Sequence, residues 1–255
     1  MPLWEIYALR YAGPVTSPGA LTLWNRGWDQ VAERAYYFWC LLGPGGPVVV
    51  DAGTAPGPAK QRGLPNYVPP DEMLARLGVE AASAPHLVLT HLHWDHAGGA
   101  ELFPAAQIHL HAREWRFWRH EPVARRPVFD FFRDEDALAA LDRAKAQGRL
   151  VLHPGGGPLP PGLELIEAPG HTPGLMAVGV DTAAGRAVLG SDCGHTFQNY
   201  AEDWPSSFIC DLPAWLGSMQ RLRESAASPE LLFPGHDLAL SRGYPQAAPG
   251  VTRLA

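Results

Sequence analysis

The sequence predicts an α/β fold (α+β in some schemes), with two β-sheets facing each other and helices outside. Three observations carry this expectation. Strand-like runs come in two blocks, each followed by helical patterns. Strands and helices do not alternate strictly, and no Gly-x-Gly-x-x-Gly turn follows the first strand, so a doubly wound parallel sheet is not expected.

In chain order, apolar runs at residues 4–11, 36–42, 47–51 and 87–90 read as the first strand block. The stretch "GPGGP" at 43–47 reads as a hairpin turn. Residues 53–70 form a long loop rich in Pro and Gly; within a compact fold such a loop is expected to be a functional edge. Helical patterns follow at 71–77, 97–102, 112–119 and 135–147. Runs at 150–153, 163–167, 175–181 and 186–190 form the second block, before a helix at 213–225. One domain over 1–255 is expected, with a helical insertion at about 112–148 that reads as a lid over a pocket or a solvent-facing layer.

Composition narrows the partners. The 255 residues are 46% apolar and 18% charged, with a net charge of −6. That balance offers no global basic field for nucleic acid or anionic lipid. Arg113, Arg116, Arg119, Arg125 and Arg126 make a local basic patch, read first as a solvated face. Cys40, Cys193 and Cys210 are widely spaced and odd in number, which argues against a disulfide framework and for a reducing compartment. The start, "MPLWEIYALRY", has no basic region before a long apolar core, and no apolar run approaches the roughly 20 residues a bilayer requires. A cytoplasmic protein without nucleic-acid or membrane partners is expected.

The chemistry concentrates in "HLHWDH", residues 91–96. Imidazole and carboxylate suit zinc and its neighbours. Spacing of two in an extended segment puts His91 and His93 on one side, where both can reach one metal. Asp95 and His96 follow as the chain turns into "AGG" and can face a second ion. Further donors stand at strand ends: His171 in "EAPGHTPG", Asp192 in "VLGSDCGH" and His236 in "LLFPGHD".

In that order, these motifs resemble the metallo-β-lactamase superfamily, across nearly the whole chain from "VVVDAG" to "PGHD". The resemblance implies a four-layer αββα sandwich with two metals at one edge. It implies that His91, His93 and His171 hold one Zn²⁺, that Asp95, His96 and His236 hold the other, and that Asp192 bridges them, with Fe, Co or Mn as other divalent occupants. Asp51 stands where the family keeps a carboxylate that orients the ligand loop.

Departures narrow the subfamily. His93 argues against flavo-diiron oxidoreductases, which carry glutamate there, and RNA-processing members need a large extra domain. Glyoxalase II-like thioester hydrolases append a helical region where only 19 residues follow His236. Zinc β-lactamases often use cysteine at the position of Asp192; Cys193 is adjacent but points the other way along a strand. "WNRGW", "APGHTPG", "SDCGHTFQNY" and "PGHD" are most similar to the N-acyl homoserine lactone lactonases.

That likeness implies attack of a metal-bridging hydroxide on the ester carbonyl of a lactone. Asp95 would relay a proton to the leaving alkoxide, and His195 would donate a hydrogen bond to the oxyanion. His195 stands where that group commonly has tyrosine. Trp24, Trp28, Trp94, Trp115, Trp118, Phe129, Phe131, Phe132, Phe197 and Tyr200 are candidate pocket aromatics, a few of them expected to touch an acyl chain. A homodimer through residues 23–28 is implied by the same likeness. The alternatives are another hydrolase of the superfamily, acting on a different ester, thioester or phosphodiester, and a mononuclear iron persulfide dioxygenase.

Overall fold

The computed structural model describes residues 3–255; Met1 and Pro2, part of the segment read above for a leader, lie outside the described residues. The chain opens with a long hairpin of β1 (Glu5–Pro18) and β2 (Val31–Leu42), joined through α1 (Gly19–Thr22). Then follow β3 (Val48–Val50), α2 (Pro56–Gln61), α3 (Pro70–Ala75), β4 (His86–Val88), α4 (Trp94–Ala97) and β5 (Gln107–His111). The helical segment holds α5 (Ala112–His120) and α6 (Glu135–Ala146), before β6 (Leu150–His153), β7 (Gly157–Pro158), β8 (Leu163–Glu167), β9 (Met176–Thr182) and β10 (Gly185–Ser191). The remainder is α7 (Phe197–Glu202), α8 (Leu212–Ser225), β11 (Leu232–Pro234), α9 (Ala239–Arg242), β12 (Gln246–Ala248) and β13 (Val251–Arg253).

Among the described residues, one sheet has eight strands in the order β12-β13-β1-β2-β3-β4-β5-β6, and the other has five in the order β11-β10-β9-β8-β7. Side-chain alternation explains the layering, because successive residues of a strand face opposite sides. On β2, Tyr37, Trp39 and Leu41 face the second sheet, while Phe38 and Cys40 face the outer helices. On β9, Met176, Val178 and Val180 face the first sheet, and Ala177 packs beneath α8 with Trp215, Met219 and Leu222. Leu138 and Leu141 of α6 and Trp115 of α5 cover the first sheet's outer face. The result is the expected four-layer αββα sandwich. No helix among the described residues is long and apolar enough to cross a membrane.

Three sequence expectations change, and one strand of the first sheet was not anticipated. The run at 150–153 does not open the second block; β6 is the edge of the first sheet, paired parallel with β5. β5 itself escaped notice because His109 and His111 interrupt its apolar run. The helix placed at 97–102 starts earlier, at Trp94 with His93 as its N-cap, and breaks at Gly98 before a 3₁₀ turn at Ala100–Leu102. The 53–70 loop is not structureless, since α2 lies within it.

Candidate metal centre

The site lies where strand ends of both sheets meet. His91 and His93 leave β4 in an extended loop, and Asp95 and His96 occupy the first turns of α4. His171 stands in the β8–β9 loop, Asp192 follows β10, and His236 follows β11. The structure brings all seven together. Potential ligand atoms of His91, His93, His171 and Asp192 lie within 4.8 Å of one another, as do those of Asp95, His96 and His236. Asp192 Oδ1 lies 3.4 Å from His96 Nε2 and 3.1 Å from His236 Nε2, and its Oδ2 lies 3.4 Å from His171 Nε2.

Four of the five imidazoles are oriented from behind. His96 Nδ1–H donates to Asp51 Oδ2 (2.7 Å), His236 Nδ1–H to the Ala35 carbonyl (2.8 Å) and His171 Nδ1–H to the Phe208 carbonyl (2.5 Å). Asp51 accepts the Thr90 hydroxyl (2.9 Å) and the Thr90 N–H (2.8 Å), so Thr90 Oγ1 is left to accept from His91 Nδ1 (3.0 Å). With Nδ1 protonated, each Nε2 turns a lone pair toward the cluster, the tautomer a metal ligand needs. His93 presents Nδ1, 3.0 Å from His171 Nε2.

Charge and burial agree with this geometry. Burial pushes His91, His93 and His171 below the usual imidazole range, so they are neutral donors. Burial opposes the charge of Asp192, but His236, His195 and His96 hold its carboxyl well below the usual range. Burial likewise opposes charge on His96, yet Asp192, Asp95 and Asp51 raise it. His91 Nε2, His96 Nε2 and Asp192 Oδ1 are buried with no hydrogen-bond partner among the described residues. Buried polar atoms are rarely left unsatisfied, and a cation at their common focus would satisfy all three. The donor set therefore fits a divalent metal centre.

Backbone strain surrounds this focus. Asp51 and Ser191 are non-glycine residues at φ +63° and +46°. Ser191 Oγ meets Thr90 Oγ1 at 3.0 Å, linking the two sheets directly behind the cluster. Gly235 is required for space, since a Cβ there would lie 2.3 Å from Asp192 Oδ1.

His195 is placed inside the cluster and not at its rim. Its Nε2 is 3.3 Å from Asp192 Oδ2, its ring stacks 5.2 Å from that of His236, and its Nδ1 is buried without a partner. Asp95 is the most exposed of the seven, its side chain 12% accessible, and Tyr11 Oη–H donates to its backbone carbonyl (2.8 Å).

A cavity of about 420 Å³ opens beside His93 and His171, walled by Phe117, Trp118, Phe129, Phe132 and Phe208. Phe132 stacks on His93 at 4.6 Å. Of the candidate aromatics, Trp118, Phe129 and Phe132 line this cavity. Trp115 is core, Tyr200 packs beneath α8, and Phe197 borders the inter-sheet core. Trp94 is buried under Arg62, while Trp24, Trp28 and Phe131 are exposed. The basic patch is partly ion-paired, Arg116 with Glu121 and Arg119 with Asp142.

Sequence reasoning missed Thr90, Ser191, Phe208 and Glu114. Only Thr90 had a local signal, its place immediately before His91.

The metallo-β-lactamase superfamily model matches residues 29–236. An N-acyl homoserine lactonase of a Bacillus species is 27% identical over 224 residues, 80% of this chain and 83% of that protein. A solved N-acyl homoserine lactone hydrolase with N-hexanoyl-L-homoserine bound at its metal centre superposes with a TM-score of 0.80 at 21% identity, covering 96% of this chain and 98% of that one. A dizinc quorum-quenching lactonase superposes with a TM-score of 0.70 at 19% identity, covering 91% of this chain and 87% of that one. With the sandwich fold, the clustered donors and the match across most of its length, the chain belongs to the metallo-β-lactamase superfamily.

Proposed function

We propose that this metal-dependent hydrolase is a dinuclear zinc lactonase that opens N-acyl homoserine lactones or close analogues. One observation carries the reading: Asp192 stands between two donor groups, its Oδ2 near His171 beside His91 and His93 and its Oδ1 near His96 and His236 beside Asp95, with His195 joining Asp192 and His236 in a third, overlapping group. His91, His93 and His171 would hold one ion, Asp95, His96 and His236 the other, and Asp192 both. When bound, two zinc ions supply polarisation of the ester carbonyl and a water whose pKa is brought near neutrality.

The chain's own residues do the remaining work. Asp51, Thr90, Ala35 and Phe208 fix the imidazole tautomers from behind. Asp95, more exposed than Asp192, carries the proton to the leaving alkoxide oxygen. His195 donates an N–H to the carbonyl oxygen as negative charge develops there. Phe132, Phe129, Trp118 and Phe208 seat the acyl chain and exclude water. The activity named for the Bacillus relative supports the substrate class. Three free cysteines, the exposed Cys210 among them, support a cytoplasmic location, which cell fractionation checks.

The test is elemental analysis combined with a substrate panel of acyl homoserine lactones, p-nitrophenyl esters, a thioester and a phosphodiester. Two zinc per chain and fastest turnover of the lactones are expected, with loss of activity on chelation. One iron per chain, or turnover of the other substrates without lactone turnover, overturns the reading.

A further inference from the structure

Glu114, the third residue of α5, is completely buried and belongs to neither donor set. Its two carboxylate oxygens have separate tasks. Oε1 accepts the Leu92 N–H at 3.1 Å and the Trp118 indole N–H at 2.7 Å, and Oε2 accepts the Gly174 N–H at 2.9 Å. Leu92 lies between His91 and His93, and Gly174 closes the turn that carries His171. One carboxylate thus joins the two loops that present three imidazoles. The contact is tight: a Cβ on Gly174 would fall 2.4 Å from the Glu114 backbone nitrogen and 2.9 Å from its Cβ.

A carboxylate persists in an apolar wall only where its oxygens are hydrogen-bonded, and here two of the three bonds end on ligand loops. The other donor set has its own supports, Asp51 behind His96 and the Ala35 carbonyl behind His236. We propose that Glu114 is a positioning residue that sets the geometry of the His91–His93–His171 ligand set alone. The inference rests on the two-metal reading above.

Substitution Glu114→Gln discriminates because an amide has only one acceptor oxygen. Oriented to keep Leu92 and Trp118, it turns its NH₂ against the Gly174 N–H, and the His171 loop loses its anchor. Metal binding to the whole chain is measured by Zn²⁺ titration and by Co²⁺ absorption, with thermal unfolding alongside. The wild-type chain is expected to take two ions. Glu114→Gln is expected to keep one and bind the other about 10- to 100-fold more weakly, the usual scale for partners behind a ligand. Gly174→Ala forces the same seam from the opposite side and is expected to weaken the same ion, so the test survives if Glu114→Gln does not fold. Glu114→Asp, which retains both oxygens, is expected to recover part of the affinity. Two unchanged affinities with only a lowered melting temperature, or equal weakening of both ions, overturns the proposal. A wild-type chain that takes fewer than two ions overturns the two-metal reading instead.

Discussion

Asp192 would be neutralised by its burial if nothing opposed it, and His236, His195 and His96 oppose it together. Its two oxygens are the point where both donor sets meet. Asp192→Ala is expected to remove bound metal and lower kcat by at least about 10³-fold, given how strongly metal-assisted hydrolysis depends on its ions; retained turnover after chelation would contradict this. His195 offers a finer test. If it donates to the carbonyl oxygen, His195→Phe should lower kcat by about 10²-fold, with His195→Tyr retaining most activity through its hydroxyl. Equal loss in both, with loss of metal, would assign His195 to metal binding instead. The ligand candidates were legible because His and Asp at strand ends are chemically conspicuous. Thr90 and Ser191 were not, since ordinary hydroxyls acquire a role only on meeting across 101 positions of sequence.

At the scale of elements, the helical segment from α5 to α6 divides its apolar residues between the core and the cavity. Trp115 and Leu141 face the core, and Trp118, Phe129 and Phe132 face the cavity. Phe132 touches the cluster through His93 and also meets Phe208 at 5.6 Å. Phe132→Ala is therefore expected to raise KM for long-acyl lactones about tenfold, more than for short ones, with a smaller effect on kcat. Uniform loss across chain lengths, read from steady-state kinetics, would remove it from acyl recognition. Most strands were legible from apolar runs bounded by Gly and Pro. β12 and β13 were not, because such short pieces are strands only by pairing, β13 with β1 and β12 with β13.

Over the whole molecule, the larger sheet carries polar residues on its inner face near the β6 edge. His86 Nδ1 meets His109 Nε2 at 3.1 Å, and His109 Nδ1 meets His153 Nε2 at 3.0 Å. A neutral imidazole has one donor and one acceptor, so three neutral rings satisfy this chain of bonds, whereas protonating neighbouring rings sets two N–H groups against each other. Burial pushes His109 down to about 4 and lowers His86 and His153 as well. His111, paired with Glu167 at 2.9 Å, flanks them. With folded values below the unfolded value near 6.5, the folded chain binds fewer protons. The stability contribution is therefore complete above about pH 6.5 and is lost as pH falls toward about 4. Melting temperatures across that window should fall less steeply in His109→Phe than in wild type; parallel slopes would exclude the ladder as the cause.

β10 and β11 run parallel, so Asp192 and His236 at their ends meet only after α7 and α8 have crossed between them. Parallel pairing across such a connection forms late, because loop closure precedes any reward from the contact. Under the two-metal reading, the donors of 91–96 alone would complete neither set, so metal is expected to bind tightly only once both sheets have closed.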